Sequence, residues 1–163
     1  MPIVNIRIAD IEYEVCIARN LQSKISKYLS EVTKNKKVLI VTDEYFEQLY
    51  AKQLRYSLEE LDFDVQLYVM SGGKNSKSFN EVLKIYGVLE TDDYARDSTL
   101  IALGGGVIGD LSGFVASTWY RGMNFLHLPT TLMGMVDSSI GGKVAINFRN
   151  TINAVGNYYH PIA

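Results

Sequence analysis

At 163 residues the chain has room for one domain that buries roughly 70% of its unfolded surface, and none for a second full domain. An apolar fraction of 47% and a charged fraction of 21%, with no run near the roughly 20 apolar residues of a membrane span, fit a globular protein outside the membrane. A net charge of -2 argues against tracking a phosphate backbone, and one cysteine with two histidines cannot make a disulfide framework or an ordinary zinc site, so the expected partner is a small molecule, with no nucleic acid and no membrane.

The N-terminal MPIVNIRIADIEYEV has no basic start, apolar middle or small-residue cleavage site, so the cytoplasm is the expected compartment. Its alternation predicts a β-hairpin, residues 3–8 against 11–17, turning at Ala9 and Asp10. Asn20 is placed to cap a helix running to about Glu31, with Leu21, Ile25 and Leu29 on one face. KVLIVTD (37–43) is a short apolar run bounded by polar residues, the pattern of a buried parallel strand. A helix over 45–61, a strand over 63–70, the turn SGGKNSKS and a helix over 79–90 follow. Further strands are expected at 99–103 and 124–128, the first ending in glycines and the second at Pro129-Thr130-Thr131. The fold class is therefore α/β, a Rossmann-like, mostly parallel sheet flanked by helices behind an N-terminal hairpin. Beyond residue 130 periodicity fades and glycine recurs at 134, 141, 142 and 156, which predicts loops approaching a ligand. NYYHPIA ends without a helix stop signal, as if another element were to follow.

Gly104, Gly106 and Gly109 fit G-x-G-x-x-G between a strand and a helix. Without a Cβ the backbone N–H groups can surround a phosphate, and the helix N-terminus adds about half a positive charge. The alternative is that the glycines only let strand and helix pack closely. The turn sits on a late βα unit, and no acidic residue follows where a ribose ligand is expected about 20 positions on. Asp110, early in the helix, has a second reading as a charge favouring the helix dipole. MVDSSIGGKV (135–144) looks like a P-loop, but Asp137 stands at the first glycine and Val144 replaces the Ser or Thr that would hold magnesium. What remains, Asp137, two serines, two glycines and Lys143, suits a phosphorylated polyhydroxylated substrate or a solvated loop with capping serines.

GGGVIGDLSGFVASTWYRG, LPTTLMGMVDSSIGGKVAIN and NAVGNYYHP, in that order, closely resemble the N-terminal domain of the 3-dehydroquinate synthases, within the sugar phosphate cyclase family. The resemblance implies an NAD-dependent lyase of the shikimate pathway that converts 3-deoxy-D-arabino-heptulosonate 7-phosphate to 3-dehydroquinate and phosphate. The steps implied are transient oxidation of a ring hydroxyl, phosphate elimination, re-reduction, ring opening and aldol closure. By the same resemblance Gly104, Gly105, Gly106 and Val107 lie at the NAD pyrophosphate, and Asp110 lies toward the nicotinamide. Thr130, Thr131 and Met133 line the cofactor, with Asp43 and Lys77 near its adenosine end. Asp137 faces the reacting hydroxyls, Lys143 and Asn153 contact substrate and chiefly its phosphate, and Arg121 reaches a neighbouring subunit's phosphate site across a homodimer or serves as a surface charge.

Three positions depart from the family pattern. Gly73-Lys74-Asn75-Ser76-Lys77 has a cation where a glutamate is usual, Tyr45 replaces an asparagine, and Ile152 replaces a lysine before Asn153. These put cofactor affinity and the choice of NAD over NADP in question. The family's divalent metal, Zn or Co, belongs to a helical domain carrying one Glu and two His ligands, so these 163 residues alone are expected to hold no metal and not to turn over. A related cyclase of the 2-deoxy-scyllo-inosose synthase type, or a non-catalytic partner module keeping the fold, are the alternatives.

Overall fold

A computed structural model describes residues 3–8, 11–19, 22–71, 73 and 76–163. At its centre four parallel strands, β3 (Lys37–Asp43), β4 (Asp64–Met70), β5 (Thr99–Gly104) and β6 (Asn124–Pro129), pair in the order β4-β3-β5-β6. Alternation along the two inner strands divides the interior in two. Val38 and Ile40 of β3 with Ile101 and Leu103 of β5 face helices α1 (Gln22–Val32) and α3 (Lys52–Glu59), through Ile25, Leu29, Leu54 and Leu58. Leu39, Val41, Leu100 and Ala102 face the other way, against α4 (Phe79–Thr91) and α5 (Gly106–Thr118), through Val82, Ile85, Leu89 and Leu111. Each Leu or Ile buried here contributes about 1.5–3 kcal/mol relative to exposure, so the inner strands, apolar on both faces, hold the two layers together.

The expected hairpin is present as β1 (Ile3–Ile8) and β2 (Ile11–Cys16), paired antiparallel. Its turn at residues 9 and 10, and the Asn20 cap, lie outside the described residues. The hairpin reaches the remainder through Tyr13, buried against His160, whose hydroxyl accepts the Gly141 N–H at 3.1 Å.

Two expectations need correction. The single helix over 45–61 is a three-part segment: α2 (Glu44–Phe46), a π-turn (Glu47–Ala51) and α3. Asp43 caps it, its Oδ1 accepting the Phe46 N–H at 3.0 Å, and the wider π-turn lets the helix start at the strand end and still bury Ala51, Leu54 and Leu58. The glycine-rich region beyond residue 140 is not mainly loop but an antiparallel hairpin, β7 (Lys143–Phe148) with β8 (Thr151–Tyr158). Val144 and Ile146 of β7 are buried in the α5 core, and a Cβ on Gly113 would stand 2.3 Å from Val144 Cγ1. Almost all of β8 is exposed, so no amphipathic pattern marks it. The last residues run beside β6, where the Ile162 N–H donates to the Phe125 carbonyl at 2.7 Å and the His127 N–H donates to the Ala163 carbonyl at 3.1 Å.

Candidate functional site

From β3 the chain crosses to β4 on one side and then returns past β3 to β5 on the other. The order therefore reverses between β3 and β5, and a ligand crevice is expected outside the carboxyl ends of those strands. A cleft of about 240 Å³ lies there, walled by Asp43, Phe46, Met70, Gly105, Gly106 and Thr131. The α5 N-terminus opens into it. The Gly109 N–H makes the first bond of the helix, to Gly105 at 3.0 Å, so the N–H groups of Gly106, Val107 and Ile108 have no partner within the helix and can meet an anion.

The glycines divide between the two roles open from sequence. A Cβ on Gly104 would lie 2.2 Å from Ile108 Cδ1, and one on Gly109 would lie 2.2 Å from His127 Cε1, so these two are packing glycines. At Gly105 and Gly106 the nearest atoms would be Thr131 Cγ2 at 3.1 Å and Ser138 Oγ at 3.2 Å, and both residues line the cleft. Beside this turn the hydroxyls of Thr130 and Ser138 are buried with no partner among the described residues. An unpaired buried hydroxyl costs about 1–3 kcal/mol, which a polar ligand atom would offset.

Farther along α5, the Lys77 ammonium is buried and donates to Asp110 Oδ2 and to Asn153 Oδ1, the latter at 2.5 Å. Burial raises the Asp110 carboxyl above its usual range, the Lys77 hydrogen bond and charge oppose this, and the Asp137 carboxylate adds to it. By the resemblance Lys77 lies near the adenosine end of the cofactor and Asp110 toward the nicotinamide; in the structure the turn into α4 carries Lys77 over α5, where its ammonium meets Asp110. Asp43, Gly104, Gly105, Gly106, Val107, Thr130 and Thr131 gather at the strand ends, while Asp137, Lys143 and Met133 are exposed and line no part of the cleft. Arg121 stands apart, beyond the far end of α5 and about 20 Å along its axis from Gly106, exposed, with φ 64°. Lys74 lies outside the described residues. Ser138 and Asn147 were not singled out by sequence. A signal existed for Ser138, which sits within the glycine-serine cluster, and none for Asn147.

His127 of β6 is buried against Gly109 with Nε2 unpartnered among the described residues, and burial lowers its pKa to about 4. The unfolded chain takes up this proton near pH 6.5 and the folded one near pH 4, so stability is complete above pH 6.5 and falls across that window. We expect a loss of about 2 kcal/mol from this group between pH 7 and pH 5. Comparing urea unfolding of wild type and His127→Gln at both pH values checks it, since the variant should lack this part of the slope.

The family model described as 3-dehydroquinate synthase N-terminal matches residues 67–163. The chain belongs to the 3-dehydroquinate synthase family. Among members of that family, the 3-dehydroquinate synthase of Desulforamulus reducens is 41% identical over 161 residues, 99% of this chain and 45% of the relative. This family member thus spans less than half the length of the curated relatives it matches. A crystal structure of 2-deoxy-scyllo-inosose synthase complexed with carbaglucose-6-phosphate, NAD⁺ and Co²⁺ shares the fold at TM-score 0.90 and 22% identity, over 98% of this chain and 43% of that one. The 2-epi-5-epi-valiolone synthase of Streptomyces hygroscopicus subsp. jinggangensis, with NAD⁺ and Zn²⁺ bound, matches at TM-score 0.83 and 29% identity, over 95% of this chain and 42% of that one. No helix among the described residues is long and apolar enough to cross a membrane, and no group of three His, Cys, Asp or Glu side chains among them could hold a metal ion.

Proposed function

We propose that this chain is the cofactor-binding part of a cytoplasmic 3-dehydroquinate synthase that converts 3-deoxy-D-arabino-heptulosonate 7-phosphate to 3-dehydroquinate and phosphate. In this reading residues 1–163 form one NAD-binding α/β domain, with residues 1–17 as its hairpin. The observation that carries the reading is the cleft at the switch point, lined by the open α5 N-terminus, with the Thr130 and Ser138 hydroxyls, unpartnered among the described residues, beside the same glycine turn. That donor set fits a pyrophosphate. Bound NAD would supply hydride acceptance and return.

The chain's own residues would do the following. The N–H groups of Gly106, Val107 and Ile108 bind the pyrophosphate, and Thr130, Thr131 and Ser138 orient it. Asp43, already committed to the Phe46 N–H, shapes the outer wall. Lys77 neutralises Asp110 beside the reacting ring, Asp137 receives the ring hydroxyls, and Lys143 and Asn153 hold the phosphate. Arg121, too far away to serve its own cleft, would face a second copy across a dimer. The described residues do not fit the family's divalent metal, so no step is assigned to it, and turnover by these 163 residues with NAD⁺ and Zn²⁺ or Co²⁺ is not expected.

A thermal-unfolding titration tests the cofactor reading. NAD⁺ at about 100 times its dissociation constant adds about 2.7 kcal/mol, a rise of about 5–10 °C for a chain this size. NADP⁺ in parallel reports the choice of nucleotide. No rise with either nucleotide would refute the reading.

A further inference from the structure

The β7–β8 ladder pairs Ile146 with Val155 and then Phe148 with Thr151, so a single residue, Asn147, stands opposite three on β8, residues 152–154. A bulge of this size leaves backbone groups without ladder partners, and some other group must satisfy them. Asn147 does so on two sides. Its backbone N–H donates to the Lys77 carbonyl at 2.9 Å, and its side-chain Oδ1 accepts the Asn153 N–H at 3.0 Å. Asn153, within the bulge, has φ 53°, a left-handed conformation that asparagine tolerates better than most residues and that persists where its surroundings over-determine it. The circuit closes through Lys77, whose ammonium donates to Asn153 Oδ1.

We propose that Asn147 is a positioning residue: it fixes Asn153 with its oxygen committed to Lys77, so that the Asn153 side chain offers substrate only its NH₂. An amide whose oxygen is held by an ammonium has donors alone to give, and a phosphate oxygen is the acceptor such donors recognise. The part concerning phosphate rests on the proposed function; the part concerning the Asn153 backbone does not.

The test uses the ¹⁵N-labelled 163-residue chain. Exchange of the Asn153 amide is expected to quicken about tenfold in Asn147→Ala, and to stay within about threefold of wild type in Asn147→Asp, which keeps the acceptor. With NAD⁺ present, inorganic phosphate titrated against the Asn153 side-chain NH₂ resonance is expected to bind about tenfold more weakly to Asn147→Ala, with recovery in Asn147→Asp. The NAD⁺ affinity itself should stay within about threefold, because Asn147 does not line the cleft. Unchanged exchange and phosphate affinity in Asn147→Ala would overturn the inference, as would an Asn147→Asp variant as impaired as the alanine. A wild-type chain that binds neither NAD⁺ nor phosphate would refute the proposed function instead, leaving the exchange measurement to decide the positioning role.

Discussion

Replacing Lys77 with methionine is expected to cost about 3 kcal/mol or more at neutral pH, because it leaves a largely buried carboxylate without its cation. The Lys77 side chain is 8% exposed and that of Asp110 20%, so water replaces the lost partner only in part. Asn153 Oδ1 loses its donor as well. In wild type, burial and Asp137 push the Asp110 pKa up while Lys77 opposes them; without Lys77 only the raising causes remain. A carboxyl with a folded pKa above its unfolded value favours folding at low pH and loses that contribution as pH rises through the folded value. The deficit of Lys77→Met relative to wild type should therefore be greatest near pH 8 and shrink toward pH 5. Adding Asp110→Asn should recover most of the stability, since both members of the pair are then neutral. Urea unfolding of the four proteins at both pH values measures the coupling directly. A deficit that does not vary with pH, and is not relieved by Asp110→Asn, would show that Lys77 contributes packing alone.

The sheet was legible because each of its inner strands is a short apolar run with polar or glycine punctuation, as in KVLIVTD and TLIALG, the pattern of burial on both faces in a run too short for a helix. The glycine turn was legible as a turn, but its division of labour was not. Whether a glycine packs or lines a cleft depends on what lies opposite, and His127 and Thr131 reach it from β6 and beyond. Both π-turns, at 47–51 and 134–138, leave no mark in the sequence because an extra residue in a helical turn changes no residue type. The β7–β8 hairpin was hidden for a different reason: with β8 exposed on both sides and bulged opposite Asn147, polarity carries no period of two. The meeting of Lys77, Asp110 and Asn153 joins residues 33 and 76 positions apart, which no local spacing encodes. The family resemblance named all three residues, and only the packing of the α4 turn over α5 showed that they touch.

Gly109→Ala should destabilise the fold by about 2 kcal/mol even though alanine is the better helix former. In an exposed helix the exchange would gain about 1 kcal/mol, but here a Cβ would stand 2.2 Å from His127 Cε1 and 2.4 Å from Nε2, against the ring itself and not the end of a flexible chain. The imidazole is buried between α5 and the Phe125 ring, whose centroid lies 6.0 Å away, so it has little room to swing aside. The other way to relieve the clash is to lift the first turn of α5 away from the sheet. That moves the N–H groups of Gly106, Val107 and Ile108, so NAD⁺ binding should weaken together with stability if those groups are the phosphate cradle. Shrinking the opposing side chain separates the two effects: His127→Ala in the Gly109→Ala background makes room for the new methyl, so the pair should cost less than the sum of the single changes and NAD⁺ binding should return. Additive losses in the double variant would mean that Gly109 is required for a backbone reason and that the His127 contact is incidental.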